Sequence, residues 1–238
     1  MALQLGDTAP DFVAQTTDGT IRFHEWIGDS WAVLFSHPKD FTPICTTELG
    51  SVAKLSDEFE RSNVKLIGLS VDSVEDHHRW IDDIEETQGA WPTYPIVADT
   101  DLNVSKQYGM LEADAEGDAA SRCAMDNRTV RSVFVIDPIK KVRLITMYPM
   151  QTGRNFTEML RAVDSIQLTT KHPVATPAGW QVGEDVMLSL MVSDEQAKEL
   201  YSRRLSPTSG SSPSPPDRLV LAAFRADGRR VMHAACAD

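Results

Sequence analysis

Short, almost wholly apolar runs alternate along the chain with stretches in which apolar residues recur every three or four positions. That is the pattern of buried strands separated by helices that each pack one face. Trp31 to Ser36 is such a run and stops at His37-Pro38. From Thr42 onward Leu49, Val52, Leu55 and Phe59 share a helical face, with Lys54, Asp57, Glu58 and Arg61 opposite. Lys65 to Val71 reads as the next strand, and Ser73 with Asp76 three residues later caps a second helix that fades near Gly89. Ile96 to Ala98 gives a short strand, Leu102 to Tyr108 a short helix stopped by Gly109, and Glu112 to Asn127 a polar loop. Val130 to Ile136 and Val142 to Tyr148 are further strands, joined by a turn at Asp137-Pro138-Ile139-Lys140. A last amphipathic helix carries Phe156, Leu160, Val163 and Ile166. Strand-helix-strand units followed by an antiparallel hairpin and a closing helix predict an α/β fold, a mixed sheet with helices on both faces.

This order assigns residues 1–168 to one main domain. Lys171 to Leu205 reads as a smaller unit, because Pro173, Pro177 and Gly179 break the spacing before an apolar run at Val186 to Val192; residues 169–205 are expected to form a C-terminal extension. Residues 206–238 are a Ser/Pro spacer, SPTSGSSPSPP, and a loosely attached tail, since the spacer has too little apolar surface to repay its ordering entropy.

A formal net charge of -12 excludes a phosphate-backbone partner, which needs a basic face; no nucleic acid is expected. Met1 to Phe12 has no basic stretch leading into an apolar run, and no run is long enough to span a bilayer. Cys45, Cys123 and Cys236 form no C-x-x-C pair and are too few for a disulfide scaffold, so a reducing, cytoplasmic setting is expected.

Chemistry concentrates at His37-Pro38-Lys39-Asp40-Phe41-Thr42-Pro43-Ile44-Cys45. Thr42 suits an N-cap and Pro43 the first helical position, which makes Cys45 the third residue of the helix. Free N–H groups point there, and a helix N-terminus stabilises negative charge, so the position favours a thiolate, the nucleophilic form of cysteine. A capping box would place a carboxylate at this position; here a reactive anion takes it. The Thr42 hydroxyl can accept from the backbone and donate to a bound oxygen. A small buried hydrophobe is the other reading of Cys45, but the strand-to-helix junction is where α/β sheets bind ligands.

Pro38-x-x-x-Thr42-x-x-Cys45 followed by Thr46-Thr47-Glu48 resembles the active-site signature of the peroxiredoxins, and GDSWAVLFSHPKDFTPICTTELG resembles that of their one-cysteine subfamily. The resemblance extends through Lys65 to Asp76, the strand with Arg131, YPMQTGRNF and HPVATPAGW, to about Leu205. It implies a thioredoxin-like fold and a thiol-dependent peroxidase in which Cys45 becomes sulfenic acid, acting on hydrogen peroxide and organic hydroperoxides. It further implies a site of Cys45, Thr42, Arg131 and Pro38 supported by His37, Glu48 and Arg154, with no metal, haem or flavin. An external thiol, such as glutathione delivered with a glutathione transferase, would restore Cys45, and the chain would form homodimers. From the residues alone, Arg131 equally reads as an edge or ion-paired arginine, His37 as a strand-end histidine bonded to backbone, and Glu48 as a first-turn acid. A peroxide-sensing or holdase-like switch, and resolution by Cys236 behind its flexible spacer, remain alternatives. A disulfide reductase is disfavoured by the missing second thiol.

Two other signals carry less. Gly28-Asp29-Ser30-Trp31-Ala32, with His24 upstream, comes close to the lipase-like element that the subfamily uses for phospholipase activity. Its last position is Ala, Ser30 precedes a strand, and the expected acid falls on Ile139 beside Asp137, so the exposed nucleophile turn is not expected. His77 and His78 point about 100° apart on a helix and cannot serve one ion; they read as a solvated helix start.

Overall fold

The computed structural model describes residues 3–112, 128–189, 192, 196, 220–223 and 232–234. Contacts along the chain group it into two units, Met1–Phe156 and Thr157–Asp238. The first holds strands β1 (Val13–Thr16), β2 (Gly19–Arg22), β3 (Trp31–Ser36), β4 (Val64–Ser70), β5 (Ile96–Ala98), β6 (Arg131–Ile136) and β7 (Val142–Tyr148). Its helices are α1 (Phe23–Ile27), α2 (Pro43–Lys54), α3 (Ser56–Arg61), α4 (Val74–Gln88) and α5 (Asn103–Gln107). The sheet runs β2-β1-β5-β4-β3-β6-β7, with β3, β4 and β5 parallel and the outer pairs antiparallel. This is the mixed, helix-flanked, thioredoxin-like architecture that the sequence implies.

Central position explains the apolar runs: every residue of β3 and of β6 is buried, whereas the edge strand β7 is mostly half-buried and exposes Met147. Phe23, Ile27, Leu34, Ile67, Tyr108 and Phe134 fill one core, in which the Tyr108 and Phe134 rings meet edge to face at 5.1 Å.

Register decides where the chemistry falls. Phe35 pairs with Val133 across the antiparallel β3–β6 ladder, so the start of β6, Arg131, lies at the end of the sheet where β3 delivers His37. Arg131 in turn pairs with Tyr148, so the chain leaving β7 towards Arg154 begins at the same end. Residues far apart in sequence converge there.

The capped start of α4 is as expected: Ser73 Oγ accepts from Asp76 N, and Gly89 ends the helix in the left-handed region at φ 68°. The hairpin turn also forms, with Lys140 N donating to Asp137 O at 2.8 Å. Two features differ. The β1–β2 hairpin and α1 were not expected, because strands of four residues with mostly exposed or half-buried positions show little alternation; the Asp18-Gly19 pair, with Gly19 at φ 92°, was the available signal. The helix read from Thr42 through Phe59 is two helices, broken at Leu55, whose ψ of 2° ends one and starts the next.

The second unit holds α6 (Phe156–Lys171, apart from its first residue), β8 (Val174–Ala175) and β9 (Asp185–Leu188), with Leu168, Val174, Trp180 and Val186 forming its small core. Beyond the spacer, β10 (Val220–Ala223) pairs parallel with β9, and β11 (Met232–Ala234) antiparallel with β10, giving a sheet ordered β11-β10-β9-β8. The segment read as a loosely attached tail thus supplies two strands, its backbone bonds going to an edge that the apolar run before Val192 provides. The loop at 113–127, the spacer at 206–216, Cys123 and Cys236 lie outside the described residues. Among the described residues no helix is long and apolar enough to cross a membrane.

Gly50 in α2 meets α4 where a β-carbon would fall 2.5 Å from Gln88 Cβ, so this close approach requires glycine. A Gly50→Val substitution is expected to cost about 1–3 kcal/mol through overpacking, read from the midpoint of urea unfolding.

Candidate active site

Thr42 occupies the N-cap of α2 with extended backbone, Pro43 follows at the first helical position, and Cys45 is the third residue, fully buried. The cap itself differs from expectation. Thr42 makes no side-chain cap bond; its hydroxyl donates to Lys39 O at 2.8 Å, closing the loop that leads into the helix. Thr46 ties the next turn, its hydroxyl donating to Thr42 O at 2.9 Å and accepting from Trp80 Nε1 at 3.1 Å.

Arg131 reaches the sulfur from the start of β6. Its Nη1 lies 3.4 Å from Cys45 Sγ and 2.5 Å from Glu48 Oε2, and its Nε donates to Met150 O at 2.8 Å. Arg154 closes on the same carboxylate: Nη2 on Oε2 at 2.9 Å, Nε on Oε1 at 3.0 Å and the backbone N on Oε1 at 2.6 Å, while Nη1 donates to Ser132 O. The Arg154 guanidinium also lies over the Phe156 and Phe35 rings, at 5.0 and 5.7 Å. Glu48 is therefore a buried bridge between two arginines, not a solvated first-turn acid. Burial pushes its carboxyl up, but hydrogen bonds and charge from Arg154, then charge from Arg131, outweigh that and hold it below its ordinary value of 4.5.

His37 and Pro38, both buried, begin the loop that joins β3 to α2. His37 Nε2 and Asp40 Oδ1 lie 2.7 Å apart, and His77 Nδ1 lies 2.6 Å from Asp40 Oδ2. His77 Nε2 faces Val97 O at 3.2 Å, and Asp40 N donates to Asp72 Oδ2 at 2.9 Å. Burial raises the Asp40 carboxyl, yet the hydrogen bonds from the two histidines win and hold it well below the carboxylate range. The donor atoms of His37, Asp40 and His77 lie within 4.8 Å of one another, but each Asp40 oxygen already takes one ring nitrogen, and the set acts as a clamp on the loop.

His77 is a correction: it is fully buried and not part of a solvated helix start. The signal was available, because His77, Trp80 and Ile84 share the apolar stripe of α4. Asp40 was likewise missed as a positioning residue, although it stands inside the motif. Thr129 completes the clamp, donating from its hydroxyl to His37 O at 2.8 Å.

Pro38, Thr42, Ile44, Arg128, Arg131 and Met150 are among the walls of a pocket of about 230 Å3. All seven residues proposed from the sequence thus belong to this cluster or its walls. The lipase-like residues do otherwise: Ser30 Oγ donates to Asn63 Oδ1, His24 Nε2 faces Ala9 O, Asp137 accepts from Lys141 N and Arg143 Nε, and Ile139 is exposed.

A thioredoxin-like sheet whose central strand β3 leads through a short loop to a buried cysteine, at the third position of a helix and in contact with an arginine, is the arrangement of a thiol-dependent peroxidase. Residues 5–145 match the AhpC/TSA family, and residues 165–203 match the C-terminal domain of 1-Cys peroxiredoxin. Peroxiredoxin-6 of Rattus norvegicus is 52% identical over 205 residues, spanning 84% of this chain and 89% of the relative. The 1-Cys peroxiredoxin of Dictyostelium discoideum is 49% identical over 201 residues, spanning 84% and 80%. Among solved structures, the peroxiredoxin 6 of Arenicola marina superposes with a TM-score of 0.77 at 45% identity, covering 84% of this chain and 90% of its own. A yeast mitochondrial 1-Cys peroxiredoxin, studied for thiol resolution through the glutathione/thioredoxin systems, gives 0.75 at 48% identity, covering 84% and 92%. The chain belongs to the peroxiredoxins of the AhpC/TSA family and is a thiol peroxidase, an oxidoreductase.

Removing the bridge strands two buried guanidinium groups, so Glu48→Ala is expected to cost about 3–5 kcal/mol in denaturant unfolding. Because the folded Glu48 holds its proton less tightly than the unfolded one, its contribution is complete above about pH 4.5 and is lost as pH falls further. Glu48→Gln should flatten that acid limb of the stability curve.

Proposed function

We propose that Cys45 is the residue that reduces the hydroperoxide, acting as a thiolate, and that an external thiol regenerates it. The observation that carries this reading is charge. Arg131 and Arg154 bring two buried positive charges and Glu48 one negative, which leaves one positive charge in contact with Cys45 Sγ; a thiolate balances it.

In the step, the sulfur attacks the terminal oxygen of ROOH. An S–O bond forms as the O–O bond breaks, the sulfur gives up two electrons, and the hydroxyl stays on it as sulfenic acid. The alkoxide that leaves takes a proton from water and departs as the alcohol. Arg131 Nη1 stabilises negative charge first on the sulfur and then on the leaving oxygen. Thr42, whose proton is committed to Lys39 O, offers its oxygen lone pairs to the hydroperoxide O–H. Pro38, Pro43 and Ile44 wall the approach and limit water around the thiolate. One thiol then displaces water from the sulfenic acid to form a mixed disulfide, and a second releases Cys45. Glutathione, delivered with a glutathione transferase, fits this role, in line with the glutathione/thioredoxin systems studied with the yeast relative. A thiol that must be re-reduced each cycle suits a reducing compartment, the cytoplasm.

We also propose a homodimer joined through the sheet edge, supported by the edge position of β7 and its half-exposed Met147. Sedimentation at micromolar concentration should give twice the chain mass; the monomer mass contradicts this.

Cys45→Ser should abolish thiol-supported peroxide consumption, and retention of full activity would refute the mechanism. Arg131→Gln should lower kcat/KM for peroxide by about 10²-fold or more, with Cys45 still present to titrate.

A further inference from the structure

We infer that His77 is a positioning residue for peroxide reduction: it carries both ring protons, and as a buried cation it holds the Asp40 carboxylate and, through it, the loop that presents Pro38 and Thr42. The inference rests on Cys45 as the reacting group. His77 lies on α4, fully buried, with an acceptor at each ring nitrogen. Nδ1 stands 2.6 Å from Asp40 Oδ2, and Nε2 stands 3.2 Å from the carbonyl oxygen of Val97 in β5. A backbone carbonyl can only accept, and so can the ionised Asp40 carboxylate. A neutral imidazole has one N–H and could serve only one of them. Both contacts are hydrogen bonds only when both nitrogens are protonated.

The balance of charge gives the same answer independently. Asp40 N donates to Asp72 Oδ2, and Ser70 Oγ lies 2.9 Å from Asp72 Oδ2 and 3.5 Å from Asp40 Oδ1, so two carboxylates share one small region. Lys39 Nζ, at 3.6 Å, answers the charge of Asp72. Asp40 is buried, and among the described residues its ion-pair partners are His37 and His77 alone, so a histidine must supply its counter-charge.

The two histidines are not equivalent. His37 meets Asp40 Oδ1 through Nε2 at 2.7 Å, while its buried Nδ1 has no hydrogen-bond partner. A charged His37 would bury an N–H with nothing to accept it, whereas a charged His77 leaves no ring nitrogen unpaired. His77 is therefore the cation, and His37 is neutral with its proton on Nε2. The resulting ion pair ties the loop to α4 and, through Val97 O, to β5. Removing one partner of such a pair strands the other's charge in the interior, while removing both does not.

Two measurements test this. In full-length protein labelled with 15N-histidine, long-range 1H–15N spectra should show both His77 nitrogens protonated, and one protonated and one bare nitrogen on His37; His77→Gln and His37→Gln assign the signals. A bare nitrogen on His77 overturns the inference, and this measurement on the native chain decides even where a variant fails to fold. Oxidation of reduced protein by hydrogen peroxide is then followed by stopped flow. Asp40→Asn and His77→Gln should each slow it by about tenfold as the loop shifts. The double variant, which carries neither charge, should be no slower than either single one, instead of the roughly hundredfold that independent effects would multiply to. Independent effects, or single variants as fast as the native chain, overturn the role of the pair. Failure of the Cys45 reading is separately visible, since Cys45→Ser would then still consume peroxide.

Discussion

One buried carboxylate holds the site together. Glu48, in the second turn of α2, is buried between guanidinium groups that come from a β-strand and from the segment after the next strand, and it fixes both. Without it two like charges would face each other in the interior, where repulsion is poorly screened. With it, Arg131 is held so that one nitrogen serves the carboxylate and the sulfur together. The cost of burying three charges is offset because nearly every donor finds an acceptor: Met150 O, Ser132 O and both Glu48 oxygens. The residual positive charge meets Cys45 Sγ, so the arrangement that stabilises the fold also supplies the charge that the proposed thiolate would satisfy.

A second constraint acts on the other side of the sulfur. The loop from His37 to Thr42 carries Pro38 and the Thr42 hydroxyl, and a loop is by default more mobile than the elements it joins. Here Asp40 anchors it through His37, His77 and Asp72, drawing on β3, α4 and the end of β4. The sheet register brings Arg131 to that same end, so strand, helix and loop meet where β3 stops. Catalytic geometry in this family member is thus built by backbone register and then locked by two buried polar clusters.

Much of this was legible in the sequence. The buried run Trp31 to Ser36 and the edge run Val142 to Tyr148 match their strands end for end, because strands rich in apolar and β-branched residues leave a strong signal. Cys45 and Thr42 were found from local rules of helix starts, whereas Arg131, Glu48 and Arg154 owed their roles to the resemblance: nothing in the residue spacing says that positions 48, 131 and 154 meet. Long-range pairing is set by strand register, which single positions do not encode. The clamp at His77 was missed for a different reason, that a polar residue on an apolar stripe looks like a solvated one until its partner, Asp40, is placed beside it.

The account turns on Cys45 being the atom that meets peroxide. Reduced full-length protein mixed with one equivalent of hydrogen peroxide and a sulfenic-acid trap, then digested and mapped by mass spectrometry, tests this most directly. The account predicts the trap on Cys45, with no disulfide joining it to Cys123 or Cys236. An unmodified Cys45, or a disulfide linking it to either of the other two, would contradict the one-cysteine mechanism.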